Sequence, residues 1–200
     1  MSSLVDFSQP TFWLSAATIV FNPTFWNIAA RQEYHNKLIT KLFGGNSRMG
    51  CYALAVTIFS LGIIRDVIYD RALRAQPPSP LLQSPLLHYS SIPIFVSGNI
   101  LVLTSMYALG ITGTYLGDYF GILMDAPVTT FPFSVTDAPM YHGSTLSFLA
   151  TAIWHGKPAG LVLTGLVAAA YTVARWYEDP FTGMIYQRRA EKRAADGKAQ

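Results

Sequence analysis

The chain has 200 residues and a net charge of +3; 51% of it is apolar and only 12% is charged. A soluble domain carries about twice that charged share at a similar apolar share, so the deficit excludes a soluble domain, a disordered chain and a coiled coil. One cysteine, Cys51, excludes an internal disulfide framework and any cysteine-rich metal site, which leaves a membrane protein.

The charges are missing in blocks. No charged residue stands between Asp6 and Arg31. This first apolar segment carries Asn22-Pro23 at its centre, and a proline there withdraws a helical hydrogen bond. Trp13 and Trp26 lie near its ends, where amphipathic rings favour the membrane interface. The segment is predicted as a broken spanning helix or one lying in the membrane plane. A cleaved signal peptide is disfavoured, because no Lys or Arg precedes it and no small-residue cleavage site ends it.

Arg48 and Arg65 bound a second charge-free run, MGCYALAVTIFSLGII. Gln76-Pro77-Pro78-Ser79-Pro80, with Pro85 following, is a linker that cannot be helical. After it, IPIFVSGNILVLTSMYALGIT is long enough to cross a bilayer, which takes about 20 residues. The stretch from Gly113 to Ser144 is too polar to span and too apolar for a solvated loop, and is predicted to pack at the interface. Gly113, Gly117 and Gly121 recur every four residues, a smooth helix face for close packing or for cofactor contact.

Tyr141 to Trp154 and Ala159 to Tyr177 are apolar runs joined by His155-Gly156-Lys157-Pro158, a tight helical hairpin. Beyond Arg188 the Ala- and Lys-rich end is predicted to fray. The expected fold is all-α: a polytopic membrane helix bundle of four to five hydrophobic segments. It forms one domain over residues 1–187, with a polar tail over 188–200. Five crossings divide the Lys and Arg residues ten against four, and four crossings divide them nine against five. Either count places the C-terminal tail in the cytosol.

Two places could carry chemistry. Asp-Ala-Pro-Met-Tyr-His-Gly-Ser (137–144) reads as a helix start, whose free amides and aromatic rings suit a ligand carboxylate or a membrane helix cap. His142 within it is a candidate proton acceptor or an interface residue. Glu178-Asp179-Pro180 ends the last apolar run. Paired carboxylates at a helix C-terminus are disfavoured by its dipole, so they are either solvated end residues or binders of something cationic or rich in donors. His35, His88 and His155 have no metal-ligand spacing, and no phosphate loop, dinucleotide, zinc-protease, hydrolase or nucleic-acid motif is present.

Four colinear blocks carry a resemblance: FNPTFWNIAARQEYHNKLITKLFG, LGITGTYLGDYFGIL, VTTFPFSVTDAPMYHGSTLSF and YEDPFTGMIYQRRA. Together they resemble the phosphatidylethanolamine N-methyltransferase family, and most closely its short fungal phospholipid methyltransferases, from about Phe21 to Arg189. The resemblance implies methyl transfer from S-adenosylmethionine to the amine of a phospholipid headgroup. The expected conversion runs from the monomethyl lipid through the dimethyl lipid to phosphatidylcholine, with the first methylation of phosphatidylethanolamine left open. It also implies the endoplasmic reticulum membrane, with mitochondria as the alternative. A related methyltransferase acting on isoprenylcysteine, or a membrane protein with no catalysis, is the rival reading.

The family's Gly-x-Gly cofactor motif falls on Val96-Ser97-Gly98, where Val96 replaces the leading glycine. Its paired acidic motif falls on Glu178-Asp179, where two glutamates are usual. Pro139-Met140-Tyr141-His142-Gly143 is similar to a His-Pro-x-Tyr-x-Gly start in the wider group, with Ala138 in the histidine position. The resemblance thus implies a cofactor cradle from Pro139, Tyr141, Gly143, Glu178 and Asp179. Asp118 and His142 are the catalytic candidates. Tyr115 and Tyr119 are candidates for an aromatic surround of the methylated cation. The implied partners are a bilayer phospholipid and the membrane itself, with no metal and no nucleic acid.

Overall fold

The computed structural model describes residues 4–198, and no strand forms among them. Its helices are α1 (Pro10–Asn36), α2 (Leu38–Leu42), α3 (Ser47–Arg74), α4 (Pro85–Thr114), α5 (Pro139–His155) and α6 (Pro158–Lys198), with a 3-10 turn at Gly117–Phe120. Proline opens α1, α4, α5 and α6, at the position where a missing N–H leaves no helical bond unmade. Asn46 opens α3 instead, its side chain accepting from Met49 N at 3.1 Å. Gly156 closes α5 with φ at 63°, and a Cβ there would meet the Gln83 side chain at 2.8 Å.

Three helices, α3, α4 and α6, are long and apolar enough to cross a membrane. Their outward faces carry exposed apolar side chains such as Phe59, Ile63, Leu103 and Val162. Lipid gives such side chains nothing to escape from, so association rests on close packing of small residues. Gly98 on α4 meets Gly143 on α5, and Gly160 on α6 packs beneath Ala152 and Leu73. The Tyr69 hydroxyl on α3 donates toward both Phe148 O (3.0 Å) and Gly160 O (3.2 Å), tying α3 to the hairpin.

The long helices run alternately between two ends. At one end Asp6 and Gln76 exchange backbone and side-chain hydrogen bonds, Lys157 donates to Gln76 O, and His155 meets Asp70. This end therefore gathers the start of α1, the end of α3 and the α5–α6 turn. The other end gathers the end of α1, α2, the 3-10 turn, the start of α5 and residues 177–198 of α6. There Glu33 is wholly buried and accepts from Ile39 N, Thr40 N and Thr40 Oγ1, fixing the start of α2.

Three expectations need correcting. The first segment is neither broken nor split at Pro23; α1 runs through it unbroken. Tertiary packing holds the helix across the lost bond: Asn22 and Pro23 are buried, and Asn22 donates to Leu61 O on α3. The residues after Arg188 continue α6 to Lys198 rather than fraying; Ala199 and Gln200 lie outside the described residues. Gly113, Gly117 and Gly121 do not share a helix face, because φ at Gly110 is 63° and a 3-10 turn follows.

Candidate functional site

The Glu178 carboxylate on α6 collects donors from two other helices. Its Oε1 accepts from Trp26 Nε1 at 2.6 Å and from Asn27 Nδ2 at 2.8 Å, both on α1. Its Oε2 accepts from the Tyr141 hydroxyl on α5. Three aromatic rings close around this point. Trp26 and Tyr141 stack with centroids 6.5 Å apart, and Tyr171 lies 4.8 Å from Tyr141 and 6.4 Å from Trp26. A carboxylate with electron-rich ring faces is a binding arrangement for an onium cation.

Behind the rings lies a buried cation. Arg65 donates to the Tyr171 hydroxyl at 2.6 Å, pairs with Asp66, and sits 4.8 Å over Phe148. Ser144 also meets the Tyr171 hydroxyl, at 3.1 Å. The start of α5 has no side-chain cap, so the amide end remains open to an anion.

The expected residues separate into three groups. Tyr141 and Glu178 meet, with Pro139 and Gly143 on the same α5 turn as Tyr141. Asp179 faces outward, where Arg175 bridges it (3.1 Å) to Asp137 (2.6 Å). The hydrogen bond from Arg175 holds the Asp137 carboxyl below its ordinary range. Arg175 thus screens Asp179 and not Glu178. His142 is exposed and turned to Thr136, with Nδ1 and Oγ1 2.5 Å apart.

Asp118, Tyr115 and Tyr119 form the second group, beside the next turn of α6. Tyr119 is 1% exposed, too buried to form an open surround as the helices stand, and its ring stacks on Phe181 at 5.2 Å. Tyr115 O accepts from the Cys51 thiol at 3.7 Å. The rings around Glu178 are instead Trp26, Tyr141 and Tyr171.

Val96, Ser97 and Gly98 form the third group. Val96 lines an apolar groove of about 300 Å³ between α4 and α5, with Ile92, Phe95, Ala150, Thr151 and Trp154. Ser97 is exposed, and Gly98 is buried where the two helices cross.

Trp26, Asn27, Tyr171 and Arg65 escaped the sequence reading as site residues. Trp26 is expected at an interface and instead donates inside the cluster. Arg65, an ionisable residue at the edge of an apolar run, was the available signal, since such groups in membranes tend to be functional.

A family model described as phospholipid methyltransferase matches residues 86–189. The phosphatidyl-N-methylethanolamine N-methyltransferase of Neurospora crassa is 57% identical over 192 residues, covering 96% of this chain and 90% of the relative. Its namesake in Saccharomyces cerevisiae is 55% identical, covering 92% and 89%. The phosphatidylethanolamine N-methyltransferase of Rattus norvegicus is 46% identical, covering 94% of each chain. No solved structure matches.

Proposed function

Because the chain belongs to the phospholipid methyltransferase family, we propose that it methylates the amine of a phospholipid headgroup with S-adenosylmethionine as donor, at the Glu178 cluster. It is a phospholipid N-methyltransferase embedded in a membrane. The proposed steps convert the monomethyl lipid to the dimethyl lipid and then to phosphatidylcholine, the reading that the fungal relatives support. The carrying observation is a carboxylate fixed by Trp26, Asn27 and Tyr141 among three rings.

The residues suit the donor. Asn27 Oδ1 is buried without a hydrogen-bond partner among the described residues, an acceptor beside Glu178 that a donor-rich ligand would satisfy. Pro139, Tyr141 and Gly143 would form one wall of the cradle, and Glu178 with Asp179 the other. Val96, Ser97 and Gly98 would back it through the α4–α5 crossing. When bound, S-adenosylmethionine supplies an activated methyl group on sulfur.

The protein's share is then orientation and electrostatics. Glu178 and the rings of Trp26, Tyr141 and Tyr171 hold cationic groups in line. The packed helices keep water from the reacting centre. Asp118 and His142 are the proposed proton acceptors, His142 being the exposed one. Tyr115 and Tyr119, at the 3-10 turn beside α6, are proposed for the lipid side. The headgroup would enter sideways from the bilayer and the donor from the C-terminal side. We place that side in the cytosol because ten of the fourteen Lys and Arg residues gather at the α6 end, and we propose the endoplasmic reticulum membrane on the family resemblance.

Purified protein given labelled donor and, separately, ethanolamine, monomethyl and dimethyl lipids should place label in the dimethyl and choline lipids. Thin-layer separation reads the result, and absence of label from both would end this reading. The amine must be neutral to attack, and an alkylammonium titrates near pH ~10 as lysine does. At low lipid concentration the initial rate should therefore climb steadily from about pH 6.5 to about pH 9. A maximum near neutral pH would instead mean that a group with its own neutral pKa limits the reaction.

A further inference from the structure

Arg31 lies one helical turn beyond Asn27 on α1, facing residues 177–181 of α6. Its Nη2 donates to Tyr177 O at 2.7 Å, and its guanidinium sits 4.7 Å over the Phe181 ring and 5.6 Å over that of Tyr177. Those contacts satisfy one of its three nitrogens. Nε is buried with no hydrogen-bond partner, Nη1 takes none, and no carboxylate pairs with the charge among the described residues.

A buried donor without a partner costs about 1–3 kcal/mol, more when charged, so Arg31 Nε stands out in this seam. Beside it, Asn27 spends both amide hydrogens on Pro23 O and Glu178 and leaves Oδ1 free. The seam thus offers an unpaired cation and an unpaired acceptor one turn apart. That pattern fits a zwitterionic ligand, with its oxyanion at the arginine and its cationic or donor end at Asn27 and Glu178. Arginine suits this task, because its planar donors match carboxylate and phosphate oxygens.

We propose that Arg31 forms an oxyanion subsite of the methyl-transfer centre, with Asn27 Oδ1 holding the donor end of the same ligand. The proposal rests on the donor and lipid reading above. Two substrates share the required chemistry: the amino-acid end of S-adenosylmethionine presents a carboxylate, and the lipid headgroup presents a phosphodiester.

The test uses the full chain in detergent and two readouts. Equilibrium dialysis with labelled S-adenosylhomocysteine, which cannot react, reports donor affinity. The KM for monomethyl lipid in mixed micelles reports headgroup binding. Arg31→Gln should weaken one of these by about 10- to 100-fold, and Arg31→Lys should recover part of it.

If the carboxylate is the ligand, dialysis shows the loss, and decarboxylated S-adenosylhomocysteine binds wild type and variant alike. If the phosphate is the ligand, dialysis is unchanged and the lipid KM rises. Both results support the subsite. Unchanged values in both readouts, with a wild-type melting temperature, would overturn it. So would a lower melting temperature with equal weakening of the normal and decarboxylated compounds, which marks a clamp between α1 and α6. If wild type itself bound no S-adenosylhomocysteine, the donor assignment would fall, and the lipid KM alone would decide the subsite.

Discussion

Replacing Glu178 by glutamine is expected to lower methyl transfer by about two to three orders of magnitude, the usual cost of removing one preorganised electrostatic partner. The reason is local. Both carboxylate oxygens already accept hydrogen bonds, Oε1 from Trp26 and Asn27 and Oε2 from Tyr141. A glutamine can keep its carbonyl oxygen toward Trp26 and Asn27 and donate its amide to the Tyr141 hydroxyl, which then accepts, so the helix contacts can survive the change. What disappears is the negative charge that steadies a cationic group. Glu178→Asp keeps the charge and shortens the reach by one methylene, and should retain about a tenth of the activity. Initial rates with labelled donor decide the matter, with melting temperature as the check on assembly. A glutamine variant within about threefold of wild type would show that Glu178 only joins helices.

That cluster was half legible. Tyr141 and Glu178 stand in blocks whose order is telling, and the turn at Gly156-Lys157 folds one helix back along the other. A proline before an apolar run and a glycine after it mark ends because each has a fixed backbone consequence. Trp26 and Asn27 were not legible as partners of Glu178, because they lie about 150 residues away and only three-dimensional packing brings α1 to α6.

Pro23 misled for a related reason. Proline withdraws one helical hydrogen bond, and here packing against α3 outweighs that loss: Asn22 and Pro23 are buried, and Asn22 donates to Leu61 O. The lengths of the charge-free runs, by contrast, follow from bilayer thickness alone. They located α3, α4 and the apolar part of α6 without reference to tertiary contacts.

Gly98 is where sequence and geometry suggest different jobs, and Gly98→Ala separates them. A Cβ at Gly98 would stand 2.6 Å from Gly143 O, 3.0 Å from Ser147 Oγ and 3.1 Å from Leu146 Cβ. The first obstacle is backbone, which cannot swing aside as a flexible side chain can. α4 and α5 must therefore part along their crossing, straining the contacts of Asn99 with Ser147 and of His88 with Trp154. Overpacking costs about 1–3 kcal/mol, and a rigid crossing belongs at the upper end. For a chain of this size the melting temperature should drop by about 6–12 °C. Since α5 also carries Tyr141, activity should fall with it, while S-adenosylhomocysteine affinity of the folded fraction stays within about threefold. Val96→Ala and Ser97→Ala, both at exposed positions, should stay within about 0.5 kcal/mol of wild-type stability. A loss of affinity at unchanged melting temperature would reverse the assignment. Gly98 would then touch the donor, and its approach to Gly143 would be the means of bringing α4 to the cradle.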